Sequence, residues 1–370
     1  MTENIPLPFS LSGKNPAGSI MKPNVLHVFK ETYTLPEYLY LGATKDIRGR
    51  TEYFQARGID FKELLAYKDR YYEAISSLSR ETLQQYSAVI FEATFSPSAI
   101  QLVKTISPAT TVIVRSHNAE LLHRWDYVRS QGLSLSAFKS LRQLFKNAAC
   151  DYLSGKHADF ISSISRWEND HYWSRAVNNS KLKHVPFFLP ESYSAMMPKS
   201  DQKRLQCVNF TSASPNPLIA DATRNFINAV KNLKGQCSDW TFYITGDETK
   251  YGINTPDEIK WLGFLKDPYQ ILAESRAMAL LSDYGYGFKT KILEAIVAKA
   301  YILLTKGLYQ RMPDEVRPYC IPIDIHSPDS FKNALEQSAK PYPDGDPNAE
   351  FRRQAFAVLD EMLLIKKLKE

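Results

Sequence analysis

The chain has 370 residues, 46 Lys and Arg against 40 Asp and Glu, and a formal net charge of +6. With 44% apolar and 23% charged residues it reads as an ordinary globular protein, too long for one core and suited to two domains. No apolar run is long enough to predict a membrane span. Nucleic-acid signatures are missing, and four scattered cysteines without a C-x-x-C predict reduced thiols rather than a disulfide frame or a zinc site.

Residues 1–20 are polar and read as a poorly ordered arm, not a secretory signal. Apolar runs then predict strands at Asn24–Phe29, Tyr38–Leu41, Ala88–Phe91, Thr111–Val114 and Phe160–Ser163. Helical patterns lie between them at Arg50–Arg57, Ser98–Thr105 and Ser134–Leu153. A polar stretch with two prolines, 190–204, reads as a join. Beyond it come strands at Cys207–Thr211, Thr241–Thr245, Ile259–Trp261, Met278–Leu281, Tyr301–Thr305 and Cys320–Ile323. Helices are predicted at Ala220–Leu233, Pro268–Ala273 and Ile292–Ala298, and after a break at 341–348 a last helix at Ala349–Leu368. Strand–helix alternation, twice over, predicts α/β architecture with two parallel sheets. The domains are residues 21–195 and 205–340, with 345–370 a helix packing back toward the first domain.

The densest chemistry lies at 282–296, S-D-Y-G-Y-G-F-K-T-K-I-L-E-A-I, where a strand gives way to a helix. Glycines there let a ligand approach the backbone, and a helix start exposes free N–H groups. Lys289 and Lys291 add cations, so the segment is suited to a diphosphate. Glu294, one turn further in, is placed to accept hydrogen bonds from a sugar diol. The plainer reading is a glycine-containing loop before a solvated amphipathic helix.

The stretch G-Y-G-F-K-T-K-I-L-E-A-I-V-A-K-A-Y-I-L resembles the donor-site motif of GT-B glycosyltransferases related to family 4, commonly G-x-G-x-K-x-K-x-L-E-A-M-A-x-G-x-P-V-V. The resemblance implies two Rossmann-like domains with a cleft between them and a nucleotide-sugar held by the second. It assigns the ribose to Glu294 and the diphosphate or sugar to the segment carrying Gly285, Tyr286, Gly287, Phe288 and Thr290. Many members carry a second glutamate eight positions earlier, where this chain has Tyr286. The run Ile259–Leu265, with Gly263 and Phe264, resembles the segment bordering the nucleobase, and Asn209–Pro217 resembles the first strand and loop of the donor domain.

In the first half, T-V-I-V-R-S-H-N-A-E resembles the family's strand ending in H-N-x-E. It brings Arg115, His117, Asn118 and Glu120 to the ligand-facing edge of the sheet. Arg115 would offset phosphate charge and His117 would orient a hydroxyl or the donor sugar. Glu120 is either a general base or a helix cap. Gly42–Arg50 reads as a strand-to-helix loop whose Lys45 and Arg48 face either the ligand or solvent. In Ala158–Asp170, Ser165 caps a helix with Glu168 at a capping-box position.

These resemblances imply transfer of a sugar from a nucleotide diphosphate to a hydroxyl of a glycan or lipid-linked acceptor. The anomeric configuration would be retained, with no metal or other cofactor. Catalysis would fall to His117, Arg115, Lys289 and Lys291, and acceptor contacts to Lys45, Arg48, Asn118 and Glu120. The protein would be cytoplasmic, in bacterial surface polysaccharide synthesis. The helix Ser134–Leu153 carries Lys139, Arg142 and Lys146 beside Phe138 and Phe145, which suits either peripheral contact with the inner membrane face or an ordinary surface helix. Two alternatives share the fold: a sugar-nucleotide 2-epimerase, and a non-catalytic paralogue binding a sugar or protein.

Overall fold

The computed structural model describes residues 23–130, 135–198, 203–211, 217–251 and 254–364. The predicted arm at 1–20, most of the loop after residue 211 and the end of the last helix lie outside them.

Two six-stranded parallel sheets form the frame. The first contains β1 (Asn24–Lys30), β2 (Asp60–Ala66), β3 (Ala88–Phe91), β4 (Thr111–Ser116), β5 (Phe160–Ser163) and β6 (Leu182–His184), in the order β2-β1-β3-β4-β5-β6. The second contains β7 (Arg204–Asn209), β8 (Thr241–Ile244), β9 (Ile259–Trp261), β10 (Ser275–Leu280), β11 (Tyr301–Thr305) and β12 (Cys320–Ile323), in the order β12-β11-β10-β7-β8-β9. The strand order reverses between β1 and β3 and between β7 and β10, and open α/β sheets bind ligands outside the carboxyl ends at such points. β3, β4 and β11 are buried along their whole length, as strands covered by helices on both faces must be.

Two predicted elements are corrected. Tyr38–Leu41 is not a strand; the chain there makes a 3-10 turn, Pro36–Tyr38, and enters helix α1 (Gly42–Arg57). Gly42–Arg50 is therefore the first half of a helix rather than a loop, and Lys45 and Arg48 sit on it. The buried residues of α1 include Lys45, Asp46 and Arg50, so its inward face is charged and hydrophobic periodicity gives no sign of it. The helix stops at Gly58, whose left-handed φ of 57° suits a glycine cap.

Three further helices frame the cleft or brace it. α2 (Glu120–Ser130) leads away from β4, and α3 (Leu135–His157) returns to β5. α4 (Lys291–Val297) follows the loop after β10. The last helix, α5 (Pro347–Leu364), lies against the first domain. Asp360 accepts from Tyr53 Oη at 2.9 Å and from Arg57 Nε and Nη2, and Asn348 bonds the backbone of Leu189 in both directions. Phe187 and Phe188, after β6, are in the core. No disulfide forms; Cys150, Cys207, Cys237 and Cys320 are free thiols.

Candidate active site

The carboxyl ends of the two sheets face one another across a cavity of about 280 Å³. One wall comes from the first domain: Asp46, Glu92, His117, Asn118 and Glu120. The other is Phe288, Lys289 and Thr290. A Cβ placed on Gly287 would stand 2.8 Å from Asn118 Oδ1, so the walls touch there.

Beneath His117 lies a buried network of charge. Arg115 donates to both carboxylate oxygens of Asp46 at 2.8 Å, and its other nitrogen donates to the carbonyl of Val185 at 2.6 Å. Arg50 donates to Asp46 at 2.8 Å and also bonds Glu92. Glu92 in turn lies 2.6 Å from His27 Nε2. His117 Nε2 stands 3.1 Å from both Asp46 and Glu92. Burial alone would raise the Asp46 and Glu92 pKa values, yet Arg115 and Arg50 for Asp46, and Arg50 and the two histidines for Glu92, hold both well below the usual range. Burial alone would lower His117; hydrogen bonds to Asp46 and Glu92 outweigh it and raise its pKa. The His117 ring faces the cavity.

A second group is acidic. Burial, reinforced by Asp151, pushes Glu120 up to about 8. Burial likewise lifts Glu168 to about 7 and Asp151 to about 6. Asp151 accepts from Thr94 Oγ1 at 2.7 Å, from Tyr172 Oη at 2.7 Å and from the Leu121 amide. Glu168 accepts from the Ala119 amide at 3.0 Å, while its own amide bonds the Ser165 cap at 3.3 Å. A pKa of about 8 favours the protonated form of Glu120 near neutral pH, beside the His117 ring.

Lys289 completes the cation set. Burial lowers its pKa, Arg311 adds to that, and Glu168 and Asp126 oppose it. The loop before it is pinned by Asp126 of α2, which accepts from the Gly285 amide at 2.6 Å. Gly285 has φ +88°, a left-handed conformation that glycine adopts without strain, and a Cβ there would push the Lys289 ammonium aside.

Lys291 and Glu294 lie apart from this cavity. They line a small space of about 20 Å³ with Tyr40, Phe210 and Tyr269. Lys45 reaches the same place and pairs with Glu294 at 2.7 Å. Lys291 lies over the Phe210 ring at 4.4 Å, and burial brings its pKa down to about 8. Four sequence candidates are elsewhere. Arg48 is half-buried and does not line the cavity. Gly263 bridges Gly246, and Phe264 is 72% exposed. Tyr286 turns away and stacks on Trp167, ring centroids 5.1 Å apart, along a groove of about 600 Å³ that also holds Trp125, Tyr152 and His171.

Asp46 and Glu92 were not found from sequence. A single cue existed for Glu92, a charge directly after the apolar run of β3. Asp46, Glu92 and His117 also bring three possible metal-ligand atoms within 4.8 Å of one another. Both carboxylates are already answered by Arg50 and Arg115, so a cation would meet a cluster that is neutral before it arrives.

Residues 210–339 match the family model described as glycosyl transferases group 1. The C-terminal domain is a group 1 glycosyltransferase domain. The architecture of the whole chain agrees with GT-B glycosyltransferases. The structure of the Anabaena protein HepE in complex with UDP-glucose superposes with TM-score 0.54 at 12% identity, covering 93% of this chain and 97% of that one. The lipopolysaccharide outer core galactosyltransferase WaaB gives TM-score 0.56 at 12% identity, covering 93% and 99%. Sucrose-phosphate synthase from Thermosynechococcus elongatus gives 0.54 at 11%, covering 94% and 98%. At these identities the likeness establishes the fold alone. A search of curated protein sequences gives no match. The matched segment contains the Phe288–Thr290 wall, Lys291 and Glu294.

Proposed function

We propose that this glycosyltransferase moves a sugar from a nucleotide diphosphate to a hydroxyl of a glycan or lipid-linked acceptor, with retention and without a metal. The observation that carries the reading is the cavity between the two sheet ends, with Lys289 on one wall and His117 on the other. Breaking the glycosidic bond builds negative charge on the leaving diphosphate, and cations fixed in advance stabilise that charge most effectively in a water-poor site. The neutral Asp46–Glu92–Arg50–Arg115 cluster supports metal independence, because it leaves no unanswered carboxylate pair for a divalent ion. Glu294 is assigned to the ribose and Asn118 and Glu120 to the acceptor side.

The test is a thermal-shift series with UDP-, GDP-, dTDP-, ADP- and CMP-sugars, each with and without EDTA. One class is expected to raise the melting temperature. At a hundredfold excess over Kd the gain is about 2.7 kcal/mol, on the order of 5–10 °C for domains of this size. EDTA should leave the shift intact. Silence across the panel would count against a donor site, and release of nucleotide only when an acceptor is added separates transfer from 2-epimerisation.

The acceptor reading extends to α3, which supports peripheral contact with an anionic membrane. Its exposed face carries Arg142, Phe145, Lys146, Tyr152 and Lys156, with Phe145 72% exposed. The one acidic residue of the helix, Asp151, is buried. Among the described residues no helix is long and apolar enough to cross a membrane. Arg142→Glu with Lys146→Glu is expected to weaken co-sedimentation with phosphatidylserine vesicles about tenfold or more, at about 1 kcal/mol per basic residue near the surface. Equal sedimentation of variant and wild type would remove α3 as the contact.

A further inference from the structure

Helix α1 begins where the donor would have to lie. A Cβ on Gly42 would stand 2.5 Å from Thr290 Oγ1, so its first turn rests directly on the loop before α4. One turn on, Lys45 crosses from the first domain into the second. Its side chain is 1% exposed, and its Nζ lies 2.7 Å from Glu294 Oε1. Three phenol rings surround the ammonium, with centroids at 5.7 Å for Tyr40, 5.8 Å for Tyr193 and 5.5 Å for Tyr269. Tyr40 and Tyr193 belong to the first domain, Tyr269 and Glu294 to the second. An ammonium so placed is held by charge and by ring quadrupoles together.

The space left beside Glu294 is about 20 Å³, enough for about one water molecule and far too small for a ribose. Glu294 therefore has two partners that exclude each other. We infer that Lys45 is a gate on the donor pocket, occupying the Glu294 carboxylate while the cleft is empty and withdrawing with the first turn of α1 when a nucleotide enters. The inference rests on the assignment of Glu294 to the ribose. It also gives the effect of Lys45 a sign. Only molecules with Lys45 displaced bind nucleotide, so the gate lowers the apparent affinity by the fraction that is open. Were Lys45 a phosphate ligand, its removal would weaken binding instead.

The experiment is calorimetric titration of UDP, GDP, ADP and dTDP into the full-length wild type, Lys45→Met, Lys45→Arg and Glu294→Gln. Lys45→Met is expected to bind the responding nucleotide about ten times more tightly, as removal of a gate open in about a tenth of molecules requires. Lys45→Arg keeps the charge and should bind like the wild type. Equal or weaker binding by Lys45→Met, or no binding of any of the four, overturns the gate. Glu294→Gln tests the assignment beneath it. Wild-type affinity in that variant means the ribose reading has failed, whereas lost affinity there with an unchanged Lys45→Met means the gate alone has failed. A readout on the wild type covers the case of an unfolded variant. Nucleotide should speed hydrogen exchange at the amides of residues 42–46, and unchanged or slower exchange there overturns the gate.

Discussion

Replacing Asp46 by alanine is expected to cost the folded protein about 3–5 kcal/mol, the range for deleting one partner of a buried ion pair. Asp46 is 4% exposed and is approached by Arg115, Arg50 and His117 together. Alanine would leave the two guanidinium groups desolvated with only Glu92 to answer them. At about 2–4 °C per kcal/mol for domains of this size, the melting temperature should fall on the order of 10 °C. Adding Arg115→Met should restore part of the loss, because a buried pair replaced whole by apolar side chains costs far less than a pair broken in half. Urea unfolding measures both. A loss below about 1 kcal/mol in the single variant would show that the network is solvated and not the frame of the site.

The same groups set a pH window. Asp46 and Glu92 have folded pKa values below their unfolded ones, near 4. Their contribution is present above that range and is lost as pH falls through the folded values. His117 runs the other way. Its raised pKa adds stability that is complete below about 6.5 and disappears as pH rises through the folded value. Glu168 and Glu120, lifted to about 7 and about 8, bind protons in the folded state that the unfolded state has already released, so they too destabilise the fold as pH rises. Stability should be greatest in mildly acidic solution and decline from pH 6 to pH 9. A flat profile across that interval would mean the cavity groups are not buried as described.

What could be read in advance followed from locality. β3 and the middles of β4, β10 and β11 are continuous apolar runs, and Gly285–Glu294 and Arg115–Glu120 each put their chemistry within a few residues. β2 and β6 are edge strands, one half exposed and one of three residues, and neither has a pattern. The Arg115–Asp46 bond joins residues 69 apart and the Arg50–Glu92 bond residues 42 apart. No spacing rule connects such positions; only the parallel order of β1, β3 and β4 does. α1 was half missed for a related reason, since the residues it buries are those expected to face water. Tyr286 was placed by its sequence position in the motif, but its ring follows Trp167 across the domain boundary, a contact that only the tertiary fold creates.

Lys289→Met is expected to lower kcat by about 10²–10³, the effect of removing one preorganised group that stabilises charge in a transition state. The lysine lines the cavity opposite His117, and Asp126 and Arg311 beside it are fixed by the fold. Methionine keeps most of the stem and removes the charge. The donor should bind nearly as before, because the charge that needs stabilising grows only as the glycosidic bond breaks, so the loss should appear in kcat more than in KM. The assay is release of nucleoside diphosphate from the donor identified by thermal shift, at saturating acceptor. A second consequence follows from the neighbour. Glu168, whose pKa is lowered by the Lys289 charge, should titrate higher in the variant and move the alkaline limb of any pH–rate profile that depends on it. An unchanged kcat with a raised KM would instead make Lys289 a ground-state phosphate contact and shift the burden of catalysis to His117.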